Sequence, residues 1–302
     1  MSKIAFVYPG QGTQIVGMGR DFYEHSELVR AAYEESAEIL GFDIASICFE
    51  KNDLLDRTEY TQAALVTTCL AMTREVLQTG IRPDMTAGLS LGEYCAISAA
   101  GGMSFADAVR TIWVRGNLMN DAVPEGFGGM AAVLGLTGEA AAAALEGLEG
   151  VSVANYNCPG QVVITGEKQA LAAAAEPLKA AGARRVLPLN VSGPFHSPFL
   201  KEAGEKLDEY LGKVNWTELQ VPYAANINGA IITDIRETRE LLKQQVSGSV
   251  RWEQSVLAMK EAGVDTWVEI GPGQTLSKFI KKIDSSAKVI NISKWDDLQK
   301  LV

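Results

Sequence analysis

Apolar positions along this chain fall into two rhythms. Short apolar runs at Ile4-Ala5-Phe6-Val7-Tyr8, Asp84-Met85-Thr86-Ala87 and Thr266–Ile270 read as buried strands, the second entered from Arg82-Pro83. Longer stretches with apolar residues three and four apart predict helices around Met18–Leu40, Thr61–Gln78, Ser104–Asn120 and Gln274–Ile283. Strand and helix alternate, which is the signature of an α/β layered domain.

Between Gly128 and Asn190 the rhythm tightens. Strand Gly129–Leu136, alanine-rich helix Gly138–Leu148, strands Val151–Asn155 and Gln161–Thr165, helix Glu167–Ala181 and strand Arg184–Asn190 follow in the order β-α-β-β-α-β. That order predicts a ferredoxin-like unit. Glycine- and proline-rich segments, Pro124–Gly129 and Val191-Ser192-Gly193-Pro194, flank it as hinges. The expected organisation is therefore a large domain from residues 1–125 and 195–302, with residues 126–194 inserted as a small subdomain.

Composition narrows the possibilities. The 302 residues are 47% apolar and 21% charged, and no apolar run is long enough to cross a bilayer. Met1-Ser2-Lys3 leads straight into the first strand without a signal-peptide pattern, so a cytoplasmic protein with no membrane partner is expected. A monomer is expected as well. A net charge of −10 disfavours nucleic acid as a partner. Cysteines 48, 69, 95 and 158 show neither C-x-x-C spacing nor nearby histidines, so they read as buried thiols and no metal site is expected.

The strand at 84–87 runs into Gly88-Leu89-Ser90-Leu91-Gly92-Glu93, and a helix follows. A serine flanked by glycines in a sharp strand-to-helix turn is a nucleophile elbow. The turn lifts the Ser90 hydroxyl above the sheet edge and aims the Leu91 N–H at the same space, where the helix N-terminus favours a developing oxyanion. The fold class implied is α/β, a hydrolase-like large domain with a parallel sheet and an inserted ferredoxin-like α+β subdomain.

A serine nucleophile needs a base, and the chain has two histidines. His25 lies in a polar helical stretch and reads as solvated surface. His196 lies in Gly193-Pro194-Phe195-His196-Ser197-Pro198, a rigid loop at the second hinge, and is the candidate base. No aspartate is obviously placed as a third member, so a carbonyl or amide is expected to orient the imidazole.

Seven elements in register now resemble the malonyl-CoA:acyl carrier protein transacylases of fatty acid synthesis. They are Tyr8-Pro9-Gly10-Gln11-Gly12-Thr13-Gln14, the elbow through Tyr94, Arg115-Gly116-Asn117-Leu118-Met119, Asn157-Cys158-Pro159-Gly160-Gln161, Pro194-Phe195-His196-Ser197, Gln245 seven residues before Trp252, and Glu269-Ile270-Gly271-Pro272-Gly273. The resemblance implies a ping-pong transfer of malonyl from malonyl-CoA, through Ser90, to the phosphopantetheine thiol of a carrier protein, with no cofactor or metal. It implies that the Gln11 N–H joins that of Leu91 in the oxyanion hole, where one donor is typically worth about 3 kcal/mol of barrier. Arg115 becomes the clamp on the malonyl carboxylate, and it disfavours neutral acyl groups that would leave it buried and unpaired. Phe195 is the bulky residue expected to prefer malonyl over methylmalonyl. Gln245 is expected to orient His196 or the acyl carboxylate, and Asn157 to line the pocket. The glycines of Gly10-Gln11-Gly12 lack the spacing of a dinucleotide fingerprint and form a strand-end turn.

Carrier proteins of this kind are acidic, and so is this chain, which makes a local basic surface necessary for docking. Arg184, Arg185, Lys278, Lys281 and Lys282 are the candidates. Two rival readings are a discrete acyltransferase or proofreading acyl hydrolase of a polyketide pathway, and a non-catalytic docking module. Arg115 speaks against hydrolysis, and Ser90 with His196 speaks against the module. One position departs from the family pattern: Leu89 stands before the nucleophile where a histidine is usual.

Overall fold

The computed structural model describes residues 2–301. The chain opens with β1 (Lys3–Tyr8), α1 (Arg20–His25), α2 (Glu27–Leu40), α3 (Ile44–Phe49) and α4 (Thr58–Gln78). Next come β2 (Met85–Gly88), α5 (Gly92–Ala99) and α6 (Phe105–Asn120). The middle segment is β3 (Gly128–Leu134), α7 (Gly138–Ala144), β4 (Val151–Cys158), β5 (Gln161–Glu167), α8 (Lys168–Ala180) and β6 (Arg185–Pro188). The chain then runs through α9 (Lys201–Leu211), β7 (Tyr223–Ala224), β8 (Ile231–Ile232), α10 (Thr238–Ser247), α11 (Trp252–Glu261), β9 (Val264–Ile270), α12 (Thr275–Ile283) and β10 (Lys288–Ile292).

Two sheets result. The larger has the order β10-β9-β1-β2-β7-β8, parallel except for the β7–β8 pair. The smaller is antiparallel, β4-β5-β3-β6, which is the ferredoxin-like arrangement built from a β-α-β-β-α-β segment. Central strand β1 is buried from Ala5 to Tyr8, as a parallel strand covered on both faces must be. Tyr8 pairs with Gly88, so the strand-end turn at Pro9-Gly10-Gln11 and the elbow leave the same edge of the sheet. Ligands of open α/β sheets bind at that carboxyl edge.

Several sequence expectations shift in detail. The stretch 18–40 is not one helix: Ser26 adopts an extended conformation and caps α2 by accepting from the Val29 N–H, which separates α1 from α2. The alanine-rich helix ends at Ala144, and β4 and β5 run longer than expected, through Cys158 and Glu167. The short pair β7 and β8, the edge strand β10 and helices α3, α9, α10 and α11 had no expectation attached. β7 and β8 have two residues each, too short for any periodicity to mark them.

The two sheets are joined near the site. Strand β4 bonds the loop before α11, the Tyr156 N–H donating to Val250 O at 2.8 Å and the Val250 N–H to Ala154 O at 2.7 Å. Glu269, wholly buried at the end of β9, accepts from the N–H groups of Leu276 and Ser277 at 3.0 and 2.8 Å and so caps α12. That cap gives the Glu269–Gly273 element a structural reason. Among the described residues no helix is long and apolar enough to cross a membrane.

Candidate active site

The elbow depends on glycine for steric reasons. A Cβ on Gly88 would lie 1.9 Å from the Gly92 carbonyl oxygen, and one on Gly92 would lie 2.3 Å from that of Tyr8. No side chain fits at either place. Asn226, in the turn between β7 and β8, staples the turn: its side-chain oxygen accepts from the Ser90 N–H and its amide donates to Gly88 O, both at 2.7 Å. Sequence reasoning did not single out Asn226, since nothing local distinguishes it from an ordinary turn asparagine.

Among the described residues, neither the Gln11 nor the Leu91 N–H is taken by a protein acceptor. The turn carrying Gln11 is pressed against the elbow, for a Cβ on Gly10 would sit 2.8 Å from Leu89 O. Two free donors thus stand on adjoining turns at the carboxyl edge, as an oxyanion hole requires.

His196 Nε2 lies 2.7 Å from Ser90 Oγ, and its Nδ1 lies 2.8 Å from the Gln245 carbonyl oxygen. A carbonyl can only accept, so Nδ1 carries the proton and Nε2 is free to accept the serine hydroxyl. His196 is 4% exposed. Burial, reinforced by the nearby Arg115 charge, pushes its pKa down to about 4, which keeps the ring neutral with Nε2 unprotonated at physiological pH. His25 is exposed and stacks on Trp295, away from this chemistry.

Arg115 is 1% exposed, on α6. One terminal nitrogen donates to Gln62 Oε1 at 2.6 Å, and the other donates to Ser90 Oγ at 3.1 Å and to Gln245 Oε1 at 2.9 Å. The expectation that a neutral acyl group would leave the guanidinium unpaired is thereby corrected, because two glutamine oxygens solvate it. Its Nε alone has no partner. Gln62, on α4, was not anticipated from sequence. A Cβ on Gly116 would lie 2.7 Å from Glu59 Cα, so this glycine lets α6 approach α4.

Gln245 is wholly buried and serves twice. Its carbonyl holds His196, while its side-chain amide donates to Ser90 O at 2.9 Å and to Glu93 Oε2 at 2.6 Å. Glu93 is buried in the first turn of α5, and burial pushes its pKa up to about 7, with the Gln245 amide pulling the other way.

Ser90 and His196 open onto a cavity of about 240 Å³ whose wall also includes Gln11, Gln62, Leu89, Asn155, Asn157 and Phe195, while Arg115, Gln245 and Glu93 are not on that wall. Phe195 lies beside the base with its ring near Gly193, and Asn157 Oδ1 is buried without a donor. Leu89 is half-buried and packs on the apolar cluster behind β1 and β2, so the wall before the nucleophile is aliphatic and supplies no hydrogen bond there. The cavity shares Gln161, Thr275 and Phe279 with a larger groove of about 850 Å³ that carries Lys278, Lys281, Lys282 and Lys300. Arg184 and Arg185 are exposed on the small subdomain at the start of β6 and do not line that groove. The five expected docking residues therefore form two groups.

The family model described as acyl transferase domain matches residues 5–294. A malonyl CoA-acyl carrier protein transacylase of Bacillus subtilis is 43% identical over 298 residues, covering 97% of this chain and 94% of that protein. A crystal structure of malonyl CoA-acyl carrier protein transacylase from Clostridium perfringens superposes with a TM-score of 0.95 at 40% identity, covering 99% of this chain and 96% of that one. A malonyl-transacylase solved in complex with its type II PKS acyl carrier protein superposes with a TM-score of 0.95 at 36% identity, over 99% and 98% of the two chains.

Proposed function

The chain belongs to the acyl transferase family, and from that premise we propose that it moves malonyl from malonyl-CoA to the phosphopantetheine thiol of an acyl carrier protein. It is an acyl carrier protein S-malonyltransferase of fatty acid biosynthesis. The observation that carries the chemistry is the placement of Ser90 Oγ between a neutral imidazole at 2.7 Å and a buried guanidinium at 3.1 Å. One partner is a base and the other a carboxylate receptor, both on a single nucleophile.

Ser90 gives its proton to His196 Nε2 as its oxygen bonds to the thioester carbonyl carbon. The carbonyl oxygen becomes an anion and is held by the N–H groups of Gln11 and Leu91. Collapse breaks the carbon–sulfur bond, and CoA leaves as a thiol carrying the proton from His196. A malonyl-serine ester remains. The carrier's thiol then enters, gives its proton to His196, attacks the ester carbonyl and takes the acyl group, while Ser90 regains its proton. No bound cofactor takes part in these steps.

Arg115 accounts for the choice of acyl group. Its guanidinium offers two parallel donors to the free carboxylate of malonyl once it turns from its present partners. As the guanidinium turns to that carboxylate, it gives up its bond to Ser90 Oγ, and the nucleophile is released when the correct substrate is present. Phe195 crowds the cavity against a branched acyl group, and Asn157 faces the acyl arm. The route from the cavity past Gln161 and Phe279 to the lysine groove suits a long arm ending in phosphate, with Lys278, Lys281 and Lys282 meeting the anionic end. Arg184 and Arg185 receive the acidic face of the carrier. Residues 126–194 act as the inserted unit that roofs the site, over a body formed from 1–125 and 195–302. The four cysteines are buried free thiols, which suits the reducing cytoplasm.

The test is intact mass measurement after incubation with malonyl-CoA, followed by carrier protein or by buffer alone. The expected result is a malonyl adduct on Ser90 that carrier protein removes and buffer leaves in place. Rapid loss to buffer marks a hydrolase instead, and an adduct that persists in Ser90→Ala overturns the assignment.

A further inference from the structure

We infer that Glu93 is a positioning residue for acyl selection, acting through Gln245 on Arg115. The inference rests on Arg115 as the malonyl clamp. A guanidinium has five donors and no acceptor, so each group that solvates it must present an oxygen. Gln245 presents Oε1 at 2.9 Å, yet an amide can be turned over at little cost in shape. A turned amide would aim its NH₂ at the guanidinium, donor against donor. Two acceptors on the far side prevent this, Ser90 O at 2.9 Å and Glu93 Oε2 at 2.6 Å, and both engage the amide nitrogen.

The two acceptors do different work. Ser90 O belongs to the elbow and is fixed by backbone, and on its own it satisfies only one of the two amide hydrogens. Glu93 takes the second. It is wholly buried on α5, with Oε2 on the amide and Oε1 without a partner. Glu93 is not on the acyl cavity wall and does not bond the nucleophile's oxygen; apart from its charge, which also faces Arg115, its contact with the clamp runs through Gln245. What it requires is an acceptor oxygen facing the amide, and a charge at that place is not essential to the bond.

Ser90 acylation rates with malonyl-CoA and with acetyl-CoA, measured on the full chain, test this. Glu93→Leu should lower the malonyl-to-acetyl ratio about tenfold or more, chiefly by raising KM for malonyl-CoA. Glu93→Gln keeps an oxygen for the amide and should hold the ratio within about threefold of the parent. In a Gln245→Met background, Glu93→Leu should lower the ratio no further. An unchanged ratio in Glu93→Leu overturns the inference, as does a loss in Glu93→Gln equal to that in Glu93→Leu, or a full additional loss in the double variant. If Glu93→Leu does not fold, Gln245→Met carries the test, and a parental ratio in that variant overturns it. A parent enzyme with no preference for malonyl overturns the clamp reading itself, whereas a parental preference that survives Glu93→Leu overturns only the role of Glu93.

Discussion

Ser90 and His196 are the two non-glycine residues with positive φ among those described, at 54° and 57°, and their side chains meet at 2.7 Å. The proposed nucleophile and base each occupy the left-handed region that a side chain adopts at a cost of order 1–3 kcal/mol. The surroundings impose both conformations. Asn226 and the Gly88–Gly92 contact fix the first, and the bond from Nδ1 to Gln245 O holds the ring of the second.

Strain at Ser90 predicts a stability difference between two inactive variants. Ser90→Gly relieves the left-handed conformation and Ser90→Ala retains it, so the glycine variant should melt about 2 °C higher, from roughly 1 kcal/mol. Thermal midpoints measured in parallel decide this. A glycine variant melting at or below the alanine variant would mean that the strain is no larger than the entropy glycine adds to the unfolded chain.

The low pKa of His196 sets the acid limb of serine reactivity. Inactivation by phenylmethanesulfonyl fluoride needs a neutral imidazole and no carboxylate clamp, so its rate should fall only as pH approaches about 4, well below the ordinary 6.5. Stability follows the same group. The unfolded chain protonates His196 near 6.5 and the folded chain near 4, so this contribution is complete above about 6.5 and is lost as pH falls toward 4. Glu93 has the opposite sign: its contribution is present below 4.5 and is lost as pH rises through about 7. Titration of His196 by NMR should place its pKa far below 6.5, and a value near 6.5 would remove the basis for both statements.

Arg115→Ala should cut kcat/KM for malonyl-CoA at least 100-fold and acetyl-CoA far less, since two charge-assisted bonds are lost only with the carboxylate substrate. Arg115→Lys should recover little of the loss. A point charge cannot reproduce the paired donors or the bonds to Gln62 and Gln245. Steady-state kinetics with both thioesters is the check, and full activity in the lysine variant would argue for charge alone.

Charge reversal at Arg184 and Arg185 should raise KM for an acidic carrier protein several-fold, more at low salt, and leave the rate of Ser90 acylation by malonyl-CoA unchanged. Both side chains are exposed and outside the lysine groove, so the two half-reactions separate. Equal loss in both would mean that the small subdomain had been disturbed.

Much of this was legible before any coordinates. The elbow pointed to Ser90 because the reversal imposes its glycines locally, and His196 followed because a serine nucleophile needs a base and the other histidine, His25, lies in a polar helical stretch. The insert could be read because each of its strands and helices has its own apolar period. Arg115 required the whole motif set, since one arginine on a helix is ordinarily solvated. Asn226 and Gln62 were not legible, as their roles consist of contacts 136 and 53 residues away.

The sequence by itself determined the alternation of strands and helices and the order of the small antiparallel unit, and it pointed to Ser90 as the candidate nucleophile, because propensity, periodicity and turn sterics act over a few residues. The tertiary structure decided which way His196 carries its proton, that Arg115 is solvated by two glutamine oxygens with one nitrogen left free, and that Glu93 faces Gln245. These depend on where groups far apart in the chain become neighbours, and on how much water that meeting excludes. Hydrogen-bond direction and pKa are properties of a packed environment, which residue order does not specify one position at a time.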